Sequence, residues 1–301
     1  MNEQEYNSYI KAGQIAKQVK DFAKELIKPG MKLIDIATAI DNKIYELGGQ
    51  TAFPCGLSID EIAAHYTPVP GDERTAEGLL CIDIGVSFDG YIADTAFTLD
   101  LTENNIHKDN IELNKKILDN ISKIIKPDMK VCDVGNSATD TLEKWNKENN
   151  SKFSIIKGLC GHKLGHHLIH AGITIPNTRN DNQTKINDMA IAIEPFVTTG
   201  SGEIYEGKPG GILILKGEGK LRDKYSREVL DYIKKNYGTR PFCRRFLEGK
   251  NLKNLGFSLS SMEKQGIIYH YPELIERTKK PVSQFENTFI ITKERVIIST
   301  E

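Results

Sequence analysis

IKPGMKLID at residues 27–35 returns as IKPDMKVCD at residues 125–133, with six of nine positions identical across an offset of 98. Each copy closes one amphipathic segment and opens another. Before the first copy, Ala12, Ile15, Ala16, Val19, Phe22, Ala23 and Leu26 recur at helical spacing over residues 3–28. Before the second, residues 111–125 do the same. Pro29-Gly30 ends the first helix, and Asp35 can cap the next, which runs to Gly48-Gly49. A period this long points to a duplicated half-domain rather than a solenoid. Two similar α/β halves with pseudo-twofold symmetry are expected, with any site lying between them. The plainer alternative is chance recurrence of a helix-turn-helix signal.

Between the copies lies LLCIDIGVSFDGYIADTAFTLDL (79–101), whose alternation on both sides of Asp89-Gly90 predicts a β-hairpin. With a two-residue turn there, paired residue numbers sum to 179. Asp83 then faces Ala96, and Asp94 faces Gly85. Both aspartates fall on one face as diagonal neighbours, with Cβ atoms about 7 Å apart. Leu80, Ile82, Ile84, Val86 and Phe97 occupy the other face, which is a core face. Like charges this close, with no Lys or Arg nearby in sequence, repel unless a cation neutralises them. A divalent ion, or a pair, is the economical explanation. A solvated sheet edge is the bland one.

Composition narrows the field. With 39% apolar and 27% charged residues over 301 positions, the chain has the make-up of a globular protein. That excludes a disordered chain, a coiled coil and a collagen-like repeat. A net charge of −1 is not that of a molecule built throughout to bind polyanions. No apolar run reaches membrane-spanning length, and the N-terminus lacks a signal-peptide pattern, so a soluble cytoplasmic protein is expected. The five cysteines are odd in number and form no CxxC, against both a disulfide framework and a thiolate zinc site. Cys160, two residues before His162, reads as a packed cysteine.

Further strands are predicted at 153–160, 188–197 and 285–299. GLCGHKLGHHLIHAG (158–172) holds four histidines within nine residues, at 162, 166, 167 and 170. Glu194 closes the apolar run AIAIE before Pro195, which biases it to extended backbone. Glu286 stands in QFENTFII. One imidazole and four carboxylates, all on strands or strand ends, suit two divalent ions bridged by carboxylates. His166 and His167 read as surface or supporting residues, and His107 and His270 as solvated or structural. Residues 205–270 carry fourteen Lys and Arg against seven Asp and Glu, a net +7, so the rest of the chain is −8. This segment is expected to be an inserted, basic, mostly helical subdomain within a single catalytic domain spanning 1–301. A charged helix is predicted over 220–236 and a short helical pair over 240–266.

The order Asp83, Asp94, His162, Glu194, Glu286, set in IDIG…D, GHKLG…IHAG, AIEPF and QFENT, resembles the methionine aminopeptidases of the pita-bread fold, an α+β architecture. The likeness covers nearly the whole chain. The 92 residues from Glu194 to Glu286 leave room for the helical insertion of type 2 enzymes, and AFPCGLSIDEIAAHYTP (52–68) also looks like type 2. The start directly at the catalytic domain is similar to the short, archaeal-type form. The resemblance implies two divalent metal ions, drawn from Co, Fe, Mn or Zn. Asp83 would bind one ion in bidentate fashion, Asp94 and Glu286 would bridge, and His162 and Glu194 would complete the other site. Glu194 would also accept a proton, while His65 and His170 would touch substrate near the scissile bond. Phe53, Ile169, Phe196, Tyr271 and Leu274 would line a methionine pocket. One departure is visible: Asn287 follows the last candidate ligand, where many relatives have His.

The implied activity is removal of the initiator methionine from nascent chains when the second residue is small. Transient ribosome contact through the basic insertion is expected, with Lys234, Lys235, Arg244 and Arg245 among its charges. A monomer is expected, with no membrane or DNA partner. Rival readings are a proline-specific dipeptidase or aminopeptidase of the same fold, and a non-enzymatic relative that binds RNA or protein.

Overall fold

A computed structural model describes residues 1–301. Helix α1 (Glu3–Leu26) begins with a reciprocal cap: the Asn2 side chain accepts from the Glu5 N–H, and the Glu5 carboxylate accepts from the Asn2 N–H. Its buried stripe of Ala12, Ile15, Ala16, Val19 and Ala23 follows the predicted spacing. Helix α2 (Leu33–Glu46) starts two residues before Asp35, which makes no capping bond. Asp35 stands instead in the first turn, where a negative charge is favoured by the helix dipole.

The second repeat copy joins α3 (Lys108–Ile124) to α4 (Val131–Asn149). Each connection turns through a residue with positive φ, Gly30 at 82° and Asp128 at 63°. Each then forms a short antiparallel contact before its helix, Lys32 with Thr75 in one and Met129–Lys130 with Lys185–Ile186 in the other. The duplicated sequence therefore builds a duplicated device. A single cluster of 40 buried apolar residues runs through all four helices and the sheets beneath them.

The hairpin of Leu79–Phe88 and Tyr91–Asp100 has the expected register, Asp83 opposite Ala96 and Gly85 opposite Asp94. Asp89 and Gly90 both take positive φ, 49° and 82°, as a type I′ turn requires. In the second half, strands Cys160–Leu164, Met189–Ile193 and Asn287–Ile291 lie side by side in a five-stranded antiparallel sheet. The three predicted strands are each broken. The first divides into Ser154–Ile155 and Cys160–Leu164, which moves the strand forward to include His162. The second divides at Glu194-Pro195 into Met189–Ile193 and Phe196–Thr198. The third becomes the hairpin Asn287–Ile291 and Val296–Ile298.

The two halves meet along one seam. Glu286 donates its N–H to the Ala96 carbonyl at 3.0 Å and receives the Ala96 N–H at 3.3 Å. This reciprocal pair joins the first-half hairpin to the strand that enters the second-half sheet.

Residues 204–276 differ from the helical expectation at both ends. Their stem is a long antiparallel pair, Ile204–Leu215 with Ile268–Glu276. Helices α5 (Lys224–Asn236), α6 (Arg244–Leu247) and α7 (Leu255–Lys264) follow between these strands. They enclose a separate cluster of 12 buried residues, including Val229, Ile233, Phe242 and Met262. No helix is long and apolar enough to cross a membrane.

Candidate metal centre

Strand alternation aims Asp83 and Asp94 at the seam from the first half. The Ala96–Glu286 contact brings Glu286 beside them. Asp94, His162 and Glu286 are buried, and their ligand-capable atoms lie within 4.8 Å of one another. His162 Nε2 is 3.8 Å from Asp94 Oδ2 and 3.7 Å from Glu194 Oε1. Asp83 joins through a residue that the sequence reading passed over. The Gln284 amide donates to Asp83 Oδ2 at 3.5 Å and to Glu194 Oε2 at 3.3 Å. Its signal was positional: Gln284 stands two residues before Glu286, the spacing of one strand face. All five residues singled out in the sequence thus meet in one place, although 203 positions separate the first from the last.

This arrangement is unfavourable in the protein alone. Burial pushes the Asp83 carboxyl up to about 7. Asp94, Glu194 and Glu286 are also pushed well up, first by burial and then by repulsion from the neighbouring carboxylates. Their only ion-pair partner within reach is His162, and burial together with His170 holds that imidazole down to about 3, hence neutral. Asp83 Oδ1, Asp94 Oδ1 and Glu286 Oε2 are buried without hydrogen-bond partners. Unpaired buried oxygens on three of four crowded carboxylates, beside a neutral imidazole, form an oxygen-rich donor set that fits hard to borderline divalent cations. Cations there would remove both the repulsion and the unmet bonding capacity.

Around this cluster stand the residues expected to contact substrate. The rings of His162 and His170 lie 4.0 Å apart. His65 has a backbone φ of 65°, and its ring meets the edge of Tyr271 at 5.2 Å. Burial, then His170, holds His65 down to about 4, and burial lowers His170 as well, so both imidazoles are neutral donors or acceptors near pH 7. Phe53 lies across Gly85, where any Cβ would overlap its ring, and this sets the aromatic next to the hairpin face that carries Asp83. Ile169 packs in the same small apolar cluster as Phe53. Leu274 pairs with Ala64, the neighbour of His65. Phe196 is fully buried against Ala63, Ile156 and Val282.

Other side chains point elsewhere. His166 and His167 are exposed and cover the hairpin tip, with His166 Nε2 3.2 Å from the Asp89 carbonyl. Asn287 faces away from Glu286. It donates to Glu301 and accepts from Thr300 Oγ1 at 2.9 Å and from the buried Lys20 amine at 3.4 Å. Its departure from the resembled pattern therefore sits on the far side of the strand from the candidate ligands.

Residues 7–293 match the model of metallopeptidase family M24, and the chain belongs to that family. It is 42% identical over 301 residues to a methionine aminopeptidase of Thermococcus onnurineus, covering 98% of this chain and 99% of that one. Among solved structures, a thermophilic Arx1 superposes with a TM-score of 0.81 at 17% identity, over 99% of this chain and 91% of that one. A methionine aminopeptidase of Thermotoga maritima superposes at 0.69 with 20% identity, over 100% and 98%. These two likenesses show the pita-bread fold.

Proposed function

We infer that the chain is a metal-dependent aminopeptidase that removes N-terminal methionine from polypeptides. The observation that carries this reading is the cluster of four mutually repelling carboxylates and one neutral imidazole, of which Asp94, His162 and Glu286 are buried, joined across the seam by the Ala96–Glu286 contact. The cluster is the donor set of a divalent metal centre, and the full-length likeness to methionine aminopeptidases gives the centre its substrate.

Asp83, Asp94, His162, Glu194 and Glu286 would hold two divalent ions, with Asp94 and Glu286 shared between them. When bound, such ions activate water and polarise a peptide carbonyl. The remaining roles belong to side chains of this chain. Glu194 Oε1 faces the cluster and accepts the proton released by water. His65 and His170, both neutral, orient the scissile amide and donate to developing negative charge. Phe53, Ile169, Tyr271 and Leu274 receive the methionine side chain, where thioether–aromatic contacts are available, and Phe196 backs them from the core. A tight site beyond the scissile bond would restrict the second residue to small ones.

The test is release of methionine from Met-Gly-Met-Met, with and without a chelator, beside an Ala-Pro peptide. Methionine release that the chelator abolishes and a divalent metal restores, with no cleavage of Ala-Pro, is expected. Preferential cleavage of Ala-Pro would favour the proline-specific rival, and activity untouched by chelation would end the metal reading.

The charge of residues 205–270 supports a finer partner proposal, a transient contact with ribosomal RNA where nascent chains emerge. Not all of that charge is free: Arg240 and Arg245 are buried and bonded within the protein. Co-sedimentation with ribosomes should therefore fall steeply with salt. It should respond to reversal of Lys234 and Lys235, and an unchanged pellet would remove the proposal.

A further inference from the structure

His65 is held in place by very little of its own bonding. Its Nδ1 is buried without a partner, and its backbone lies at a φ that L-residues avoid. Something outside the residue must over-determine that conformation. The strap that carries it, residues 52–68, is tied ten residues before His65 and two residues after it by a single network.

Asp41 of α2 accepts the Cys55 N–H on Oδ1 at 3.1 Å. Its Oδ2 receives Arg245 Nη2 of α6 at 2.8 Å. The same Nη2 reaches Thr67 Oγ1 at 3.2 Å, and Thr67 Oγ1 donates to the Cys55 carbonyl at 2.8 Å. The loop thus closes on itself through Cys55 and Thr67, with His65 inside it. Gly210 of the insertion stem completes the fit. Its carbonyl accepts the Thr67 N–H at 2.8 Å, and a Cβ there would overlap the His65 carbonyl.

The pair is a costly way to join two elements. Both side chains are about 95% buried, with 5% and 7% of their area exposed. Arg245 Nε has no partner at all. Burial pushes the Asp41 carboxyl up to about 6 even with Arg245 beside it. Buried ion pairs of this kind are poor sources of stability compared with apolar residues of the same volume. What the pair does supply is direction: Asp41 holds Cys55, and Arg245 Nη2 holds both Asp41 and Thr67, which fixes the two ends of the strap relative to each other and to both α2 and α6.

We propose that Asp41 and Arg245 are positioning residues for His65, a clamp through which the body and the insertion together set the imidazole against the substrate. The proposal rests on the aminopeptidase reading, in which His65 touches the scissile region. A misplacement of about 1 Å in such a group is enough to lower turnover by about 10²-fold. Neither Asp41 nor Arg245 bonds to a candidate metal ligand, so the clamp should be separable from metal binding.

The test compares Arg245→Met, the doubly apolar Asp41→Leu/Arg245→Met, and His65→Ala, each on Met-Gly-Met-Met. The single variant strands a buried carboxylate and is destabilised. The double variant keeps the volume, removes both charges and is destabilised less than the single variant, yet lacks the bonds that Asp41 makes to Cys55 and Arg245 makes to Thr67. Expected are native metal content in the double variant, kcat at least 10-fold lower, and KM changed much less. Added to His65→Ala, the double substitution should cause no further loss. A folded double variant with native kcat, or a loss that multiplies with that of His65→Ala, would overturn the clamp while leaving the aminopeptidase reading intact. A native chain that releases no methionine would overturn the reading and the clamp with it.

Discussion

The two halves of the molecule use the same scaffold and deliver their chemistry differently. In the first, the repeat copy at 27–35 leads through α2 to an unbroken hairpin, and one rigid element carries both Asp83 and Asp94. In the second, the copy at 125–133 leads through α4 to interrupted strands. His162 sits inside one, Glu194 follows the end of another, and Glu286 precedes a third. A continuous strand fixes its side chains by pleat alone. An interrupted one needs a bridge, and here the Ala96–Glu286 contact and the Gln284 amide provide it.

The comparison can be broken most forcefully at the shared carboxylates, one from each half. Asp94→Ala and Glu286→Ala should each abolish methionine release, because each residue serves both proposed ions. Near-native turnover in either variant would show that the halves do not share a site. A smaller effect is expected where neither half supplies a ligand. His65→Ala and His170→Ala should spare metal content and lower kcat by about 10²-fold, the scale for a lost positioned donor or acid–base group. Loss of metal in either would move that histidine into the cluster.

The smallest effect sharpens the repeat itself. Gly30→Ala meets no atom, yet forces an L-residue to φ of 82°, and should lower stability by about 1 kcal/mol. Asp128 already accepts the equivalent turn at 63°, so Asp128→Gly should shift stability by less than about 0.5 kcal/mol. Urea unfolding of the two variants reads the difference. Equal effects would mean that the turns are not equivalent devices.

Much of the site was legible because short-range rules determine it. Asp89-Gly90 sets a two-residue turn, and that turn fixes which face each aspartate takes. The repeat announced two halves. His162 was recognisable as a candidate even though the predicted strand stopped at residue 160, since histidine clusters are rare whatever their backbone. Gln284 was missed because a neutral amide carries no sign of its task. Arg245 counted only as one more positive charge, because its partner Asp41 lies 204 residues away and no local pattern links them. The strands of the insertion stem were missed because the glycines and Pro209 break their alternation. Gly210 and Gly211 are there for close approach, since a Cβ on either would overlap the backbone of His65 or Thr67. Composition rules see flexibility at such positions, where the fold requires contact.

The central claim is that five residues from two halves hold a pair of divalent ions. Calorimetric titration of the metal-stripped chain with Co, Mn or Zn, with bound metal counted after dialysis, tests it most directly. Two ions per chain are predicted for the native protein, fewer than two for Asp94→Ala, and two for the Asp41→Leu/Arg245→Met variant, whose changes lie outside the cluster. A native chain that binds no divalent ion, or that reaches full activity with one and takes up no second, would contradict the account.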